Sequence, residues 1–191
     1  MGNFSFYESK IKGLYIIEPK VFGDNRGYFM ENYNKKQFEA AGFNMNFVQD
    51  NESKSVKGVL RGLHFQREHS QGKLIRVTKG EVFDVAVDLR NGSKTYGNWE
   101  GIVLSEENKK QFYIPEGFAH GFLVISNEAI LNYKCTDYYA KEYECGIMWN
   151  DPDINVNWPL ENIENVILSE KDKANSMLSE LDLSKYPDYN I

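Results

Sequence analysis

Between Gly58 and Lys73, two strand-like segments joined by a short polar loop carry three residues with titratable or permanently charged side chains among apolar neighbours. They are Arg61 and His64 in Gly-Val-Leu-Arg-Gly-Leu-His-Phe-Gln, and Lys73 after Gln71-Gly72. Burying such groups on strand-like segments is costly unless each has a partner or a task, so the stretch marks the centre of a site. A lone histidine between Leu63 and Phe65 is more often a satisfied core residue than a catalyst. His64 gains its weight from Arg61, Gln66 and Lys73 close by. An uninterrupted strand would point Arg61 and His64 to opposite faces. Both serve one cavity only if the strand bulges, and Gly62 permits a bulge.

Other candidates lie further along. Pro115-Glu116-Gly117-Phe118-Ala119-His120 reads as a turn feeding a strand that carries His120 at its start. Tyr133 shares a strand face with Ala129 and Leu131, where the ordinary outcome is a core or interface tyrosine. Tyr138 and Tyr139 follow at that strand's end and can stack on a planar ligand. Asp172 stands three residues after Ser169, a helix-start pattern that needs no catalytic explanation. Phe22, Arg26 and Glu31 lie on or beside the two-glycine turn Val21 to Gly27, which by itself reads as a solvated hairpin.

The elements that must position these residues are nearly all strands. Leu14 to Glu18 reads as a short strand ending before Pro19, and Tyr28 to Asn32 as another. Asn34 to Gly42 has a helix signature, with Asn34 as N-cap, Gln37 in the capping-box position and Gly42 as the stop. Further strands are predicted at Asn46 to Ser53, Gly58 to Gln66, Lys73 to Thr78, Glu81 to Leu89, Trp99 to Leu104, Gln111 to Ile114, Phe118 to Ile125 and Ala129 to Thr136. In Glu81 to Leu89, Phe83, Val85, Val87 and Leu89 alternate with Asp84, Ala86 and Asp88, so the second face is solvated or lines a polar cavity. Beyond Trp149-Asn150-Asp151-Pro152 the pattern loosens, and Ser169 opens a short helix. Regularly spaced strands of this kind predict an all-β jelly-roll sandwich or barrel with a few short peripheral helices. The 191 residues suit a single domain. Its core spans about 44–150, with N-terminal strands and a helix in 1–43 and a C-terminal segment with a short helix in 151–191.

Composition narrows the function. A net charge of −6 argues against a broad nucleic-acid surface, while leaving room for a local basic pocket. Cys135 and Cys145 have neither metal-type spacing nor a disulfide framework, so a reduced, cytoplasmic setting is the simplest reading. Met1 to Lys12 lacks the apolar core of a signal peptide, and no apolar run approaches the ~20 residues that span a bilayer.

Gly58 and His64, spaced Gly-x5-His, together with Pro115-x-Gly-x-x-His120, resemble the two sequence motifs of the cupin superfamily. Metal-binding cupins place a second histidine where this chain has Gln66, and their ligand glutamate is also missing. With three histidines in all, no metal is expected, and the chemistry falls to side chains.

More specifically, seven segments occur in the same order as in the dTDP-4-dehydrorhamnose 3,5-epimerase family, which the chain closely resembles over nearly its whole length. They are Phe22-Gly23-Asp24-Asn25-Arg26-Gly27, Phe47-Val48-Gln49-Asp50-Asn51, Leu60 to Gln66, Gln71-Gly72-Lys73, Gly80 to Asp88, Pro115 to Gly121 and Trp149-Asn150-Asp151. The resemblance implies a homodimeric, cupin-like jelly roll that inverts C3 and C5 of a dTDP-linked 4-keto-6-deoxy sugar without a cofactor. It implies His64 as base with Asp172 as its partner, Lys73 as donor to the enolate oxygen, and Tyr133 as the acid on the far side. Asp84 stays open as an alternative partner for His64. Arg61 and Arg26 are implied at the diphosphate, and Phe22 and Tyr139 around the base. Glu31, Gln49 and Asn51 are implied at the nucleoside, and His120 beside the sugar. The Phe22 loop is implied to come from the partner subunit. Enzymes that invert only C3 or only C5 keep the same residues in the family, and a non-catalytic sugar-nucleotide-binding jelly roll is the rival from another class.

Overall fold

The structure is a computed structural model that describes residues 2–182. In chain order its strands begin with β1 (Phe4–Glu8), β2 (Tyr15–Pro19), and the hairpin β3 (Phe22–Asp24) and β4 (Gly27–Phe29). Helix α1 (Lys35–Ala40) precedes β5 (Gln49–Val56), β6 (Leu60–Gln66), β7 (Lys73–Lys79) and β8 (Glu81–Asp88). Then come β9 (Trp99–Ser105), β10 (Gln111–Ile114), β11 (Phe118–Val124), β12 (Glu128–Cys135), β13 (Glu144–Gly146) and helix α2 (Glu170–Lys173).

These strands form a jelly-roll sandwich of two antiparallel sheets, ordered β1-β2-β10-β7-β12-β5 and β13-β6-β11-β8-β9, with β3-β4 as a separate ribbon. Alternation of side chains across each strand sends one face of both sheets to a shared interior. Ile75, Val77, Phe112 and Leu131 from the larger sheet meet Val82, Ala86, Phe118 and Phe122 from the smaller one there. The smaller sheet's other face, carrying Leu63, Phe65, Val85 and Val87, is covered by Ile147, Ile154, Val156 and Trp158. The segment after Trp149 is therefore a packed cover held by the parallel bridges Val59↔Ile167 and Ile147↔Ser176. The last stretch of the expected C-terminal segment, 183–191, lies outside the described residues.

Both predicted helix starts are present. Asn34 accepts from the Gln37 N–H, and Ser169 accepts from the Asp172 N–H. Several strand expectations need correction. Pro19 belongs to β2, opposite Phe4. The β2–β10 ladder extends only to Ile17, so proline's missing donor leaves no neighbour unsatisfied at that point. β5 starts later and runs further than Asn46 to Ser53, while β4 is shorter than Tyr28 to Asn32. β1 and β13 were not anticipated, being short segments with little burial contrast. Asp84 and Asp88 are fully buried, so their face of β8 is not solvated. Asp88 accepts from Arg90, Ser93 and Thr95, whereas Asp84 points into the interior.

Candidate active site

A cavity of about 720 Å³ is lined by residues of both sheets. Arg61, His64 and His120 line it from the smaller sheet, and Gln49, Asn51, Lys73 and Tyr133 line it from the larger one. Arg61 and His64 share this face because β6 bulges. His120 is opposite His64 and Phe122 opposite Arg61, with a register shift between them. Gly62 makes that shift possible with a φ of 122°, and a Cβ on it would lie 2.6 Å from Gly121 Cα.

His64 Nε2 lies 2.6 Å from Asp172 Oδ1. Asp172 is almost fully buried, and burial alone would raise its pKa. Hydrogen bonds from His64, Ser169 and the Gly62 N–H outweigh burial and hold the value down at about 2. An ionised carboxylate only accepts, so Nε2 carries the hydrogen, and the lone pair of the neutral ring falls on Nδ1. The aspartate comes from α2, more than a hundred residues along the chain from His64. Packing of the C-terminal cover thus completes the pair.

Asp84 serves a different histidine. Both its oxygens lie 3.0 Å from His120 Nε2. Burial lowers the pKa of His120 although Asp84 pulls the other way, so the ring is neutral and donates from Nε2 at neutral pH. Lys73 enters the same region at the start of β7. Burial lowers its pKa too, opposed by the negative potentials of Cys135, Asp84 and Glu144.

Tyr133 stands on the wall opposite His64, between Ile75 and Asn51 in register. Burial raises its pKa and keeps the phenol protonated. Arg61 reaches across the sandwich, donating from Nε and Nη2 to Ser55 Oγ at 3.2 and 3.1 Å. Gln49 Nε2 donates to Asn51, and Gln49 Oε1 accepts from the Tyr139 N–H at 3.0 Å, tying that loop to the mouth. Tyr139 lines the cavity while exposed Tyr138 does not. Gln66 donates to the carbonyls of His69 and Tyr138 and accepts from the Ala140 N–H. The residue standing where a metal cupin has histidine therefore pins two loops.

Of the twelve residues to which the resemblance gives a catalytic or binding role, Asp84 aside as an alternative, nine line this one cavity: His64, Lys73, Tyr133, Asp172, Gln49, Asn51, Arg61, His120 and Tyr139. Phe22, Arg26 and Glu31 do not. Phe22 and Arg26 lie on the exposed β3-β4 hairpin, where Arg26 pairs with Asp24 at 2.6 Å. Glu31 accepts from Asn3, Asn34 and Gln37 beside α1. Glu144 and Lys171 also line the cavity and pair with each other, and Tyr139 OH donates to Glu144 at 2.6 Å. Glu144 carried no sequence signal, because its three-residue strand has no readable alternation. Lys171 could have been noticed as the neighbour of Asp172.

An imidazole braced by a carboxylate, a protonated phenol on the facing wall and a buried ammonium together suit proton abstraction beside a carbonyl. The family model for dTDP-4-dehydrorhamnose 3,5-epimerase matches residues 8–180. The dTDP-4-dehydrorhamnose 3,5-epimerase of Methanothermobacter thermautotrophicus is 60% identical over 91% of this chain and 94% of its own length. That of Escherichia coli is 53% identical over 91% and 94%. Among solved structures, the dTDP-6-deoxy-D-glucose-3,5-epimerase of Legionella pneumophila in complex with dTDP-4-keto-L-rhamnose superposes with a TM-score of 0.94. It is 51% identical and covers 98% of this chain and 100% of that one.

Proposed function

The chain belongs to the dTDP-4-dehydrorhamnose 3,5-epimerase family, and from that premise we propose how its cavity inverts two carbons of one sugar. It is an isomerase that converts dTDP-4-keto-6-deoxy-D-glucose to dTDP-4-keto-L-rhamnose by epimerisation at C3 and C5. Both carbons flank the C4 carbonyl, so a single oxyanion donor serves two proton abstractions. His64 Nδ1 removes the proton, Asp172 supports the resulting imidazolium, and Lys73 donates to the C4 oxygen as it becomes an enolate. Tyr133 then delivers a proton from the opposite face. Inversion needs base and acid on opposite sides of the ring.

The observation that carries this reading is the placement of the Asp172-braced His64 on one sheet and of Tyr133 on the sheet facing it, around a shared cavity. Arg61 binds the diphosphate through charge-assisted hydrogen bonds, Gln49 and Asn51 contact the nucleoside, Tyr139 stacks on the base, and His120 positions the sugar. Phe22, Arg26 and Glu31 act in the cavity of a second copy, so the working unit is a homodimer with shared sites. No cofactor takes part in this scheme.

Incubating the protein with dTDP-4-keto-6-deoxy-D-glucose in deuterated water tests it. Label is expected at both C3 and C5. Label at one carbon would reduce the activity to a single epimerisation, and label at neither would leave only binding.

A further inference from the structure

Ser53 lies on β5 between Asn51 and Ser55 and faces the interior with them. Its hydroxyl oxygen is buried without a hydrogen-bond partner among the described residues, yet Ser53 lines the cavity. Leaving a buried hydroxyl unpaired is destabilising, so a serine at this position calls for a use. Its same-face neighbours are occupied. Asn51 Nδ2 donates to Cys135 Sγ at 3.5 Å, and Ser55 Oγ accepts both Arg61 bonds.

Register puts Ser53 beside the proposed acid. Asn51 is opposite Tyr133 and Ser53 is opposite Leu131, which makes Ser53 the diagonal neighbour of Tyr133. Such diagonals span about 7–8 Å and remain within reach of aromatic side chains. The Arg61 charge, held on Ser55, acts on the Tyr133 phenol. Tyr133, Ser53 and Arg61 thus line the same cavity, with Tyr133 and Ser53 on neighbouring strands.

Double inversion makes a demand that a single inversion does not. After the first inversion His64 holds the abstracted proton and Tyr133 is a phenolate. The second requires a bare His64 and a protonated Tyr133 while the sugar is still bound. We propose that Ser53 is a positioning residue for proton return to Tyr133, its hydroxyl linking the phenolate to water between the two inversions. Water gives a proton to Ser53 Oγ as Ser53 gives its own to the phenolate oxygen, so one O–H bond breaks and one forms at serine. The hydroxide left behind is neutralised by the proton that the His64 imidazolium releases to solvent.

This rests on the double-epimerase reading, and its test separates the two. Wild type, Ser53→Ala and Ser53→Thr are compared in deuterated water, with incorporation at C3 and C5 and KM measured separately. In Ser53→Ala the first carbon should exchange at close to the wild-type rate with KM unchanged, while exchange at the second falls roughly tenfold or more. Ser53→Thr, which restores a hydroxyl on a residue suited to strands, should recover the second exchange. An unchanged ratio between the carbons in Ser53→Ala would overturn the proposal. So would equal slowing at both with a raised KM, which would mark a binding or packing role. Wild type labelling both carbons in those cases leaves the epimerase reading standing, whereas wild type labelling neither removes both.

Discussion

His64 and His120 are cross-strand partners on β6 and β11, and each commits Nε2 to a different buried carboxylate, Asp172 for His64 and Asp84 for His120. The two pairs are fixed by different parts of the fold. Asp84 comes from β8, the strand next to His120, whereas Asp172 arrives on the C-terminal cover. Two histidines on one wall can therefore differ in task.

That difference is measurable. His64→Ala should lower deuterium exchange at both carbons by about 10²–10⁴, the usual worth of a positioned base, while calorimetry finds dTDP binding nearly intact. His120→Ala should act mainly on KM. A His120 variant that loses exchange with unchanged KM would reverse the assignment.

The alkaline limb of the rate profile should belong to Lys73. Its ammonium must be charged to donate to the enolate, and burial has moved its pKa below the ordinary lysine value. Activity is thus present at lower pH and declines as pH rises through that lowered value. Tyr133, whose pKa is raised, remains protonated over the same range. In Lys73→Arg the limb should move to higher pH, since guanidinium keeps its charge. A limb that stays in place would assign it to another group.

Gly62→Ala tests the bulge. The new Cβ would approach Gly121 Cα to 2.6 Å at a φ of 122°, a strained state for which roughly 1–3 kcal/mol is typical. Urea denaturation should show that loss. Activity should fall further than stability, because Arg61 and His64 face one cavity only while the bulge holds.

Sharing of the site between copies can be read by mixing variants. Phe22→Ala and His64→Ala should each be nearly inactive alone. Unfolded and refolded together, they should regain activity, because one site in each mixed dimer then has an intact His64 and an intact Phe22 from the other copy. If no activity returns, the hairpin does not serve a neighbouring cavity.

Much of this arrangement was legible before the fold. Alternation in β8 and β12 is strong enough to assign strands, and Gly62 inside a run carrying Arg61 and His64 made a bulge possible. The N-terminal strand was not legible, since β1 shows weak burial contrast and is held by pairing with β2. The buried state of Asp84 and Asp88 was also out of reach. An aspartate in an alternating strand reads the same whether it meets water or a histidine on the next strand.

The sequence by itself determined the β-rich class, both helix caps and most of the chemically capable residues, because these depend on residue type and short-range spacing. Only the tertiary structure decided that Asp172 braces His64 while Asp84 takes His120. It also decided that Tyr133 faces His64 from the other sheet, and that Ser53, on the strand next to that of Tyr133, is left with an unpaired hydroxyl. Those relationships depend on which strands become neighbours and how a distant segment packs, and such contacts leave no periodic trace in the chain.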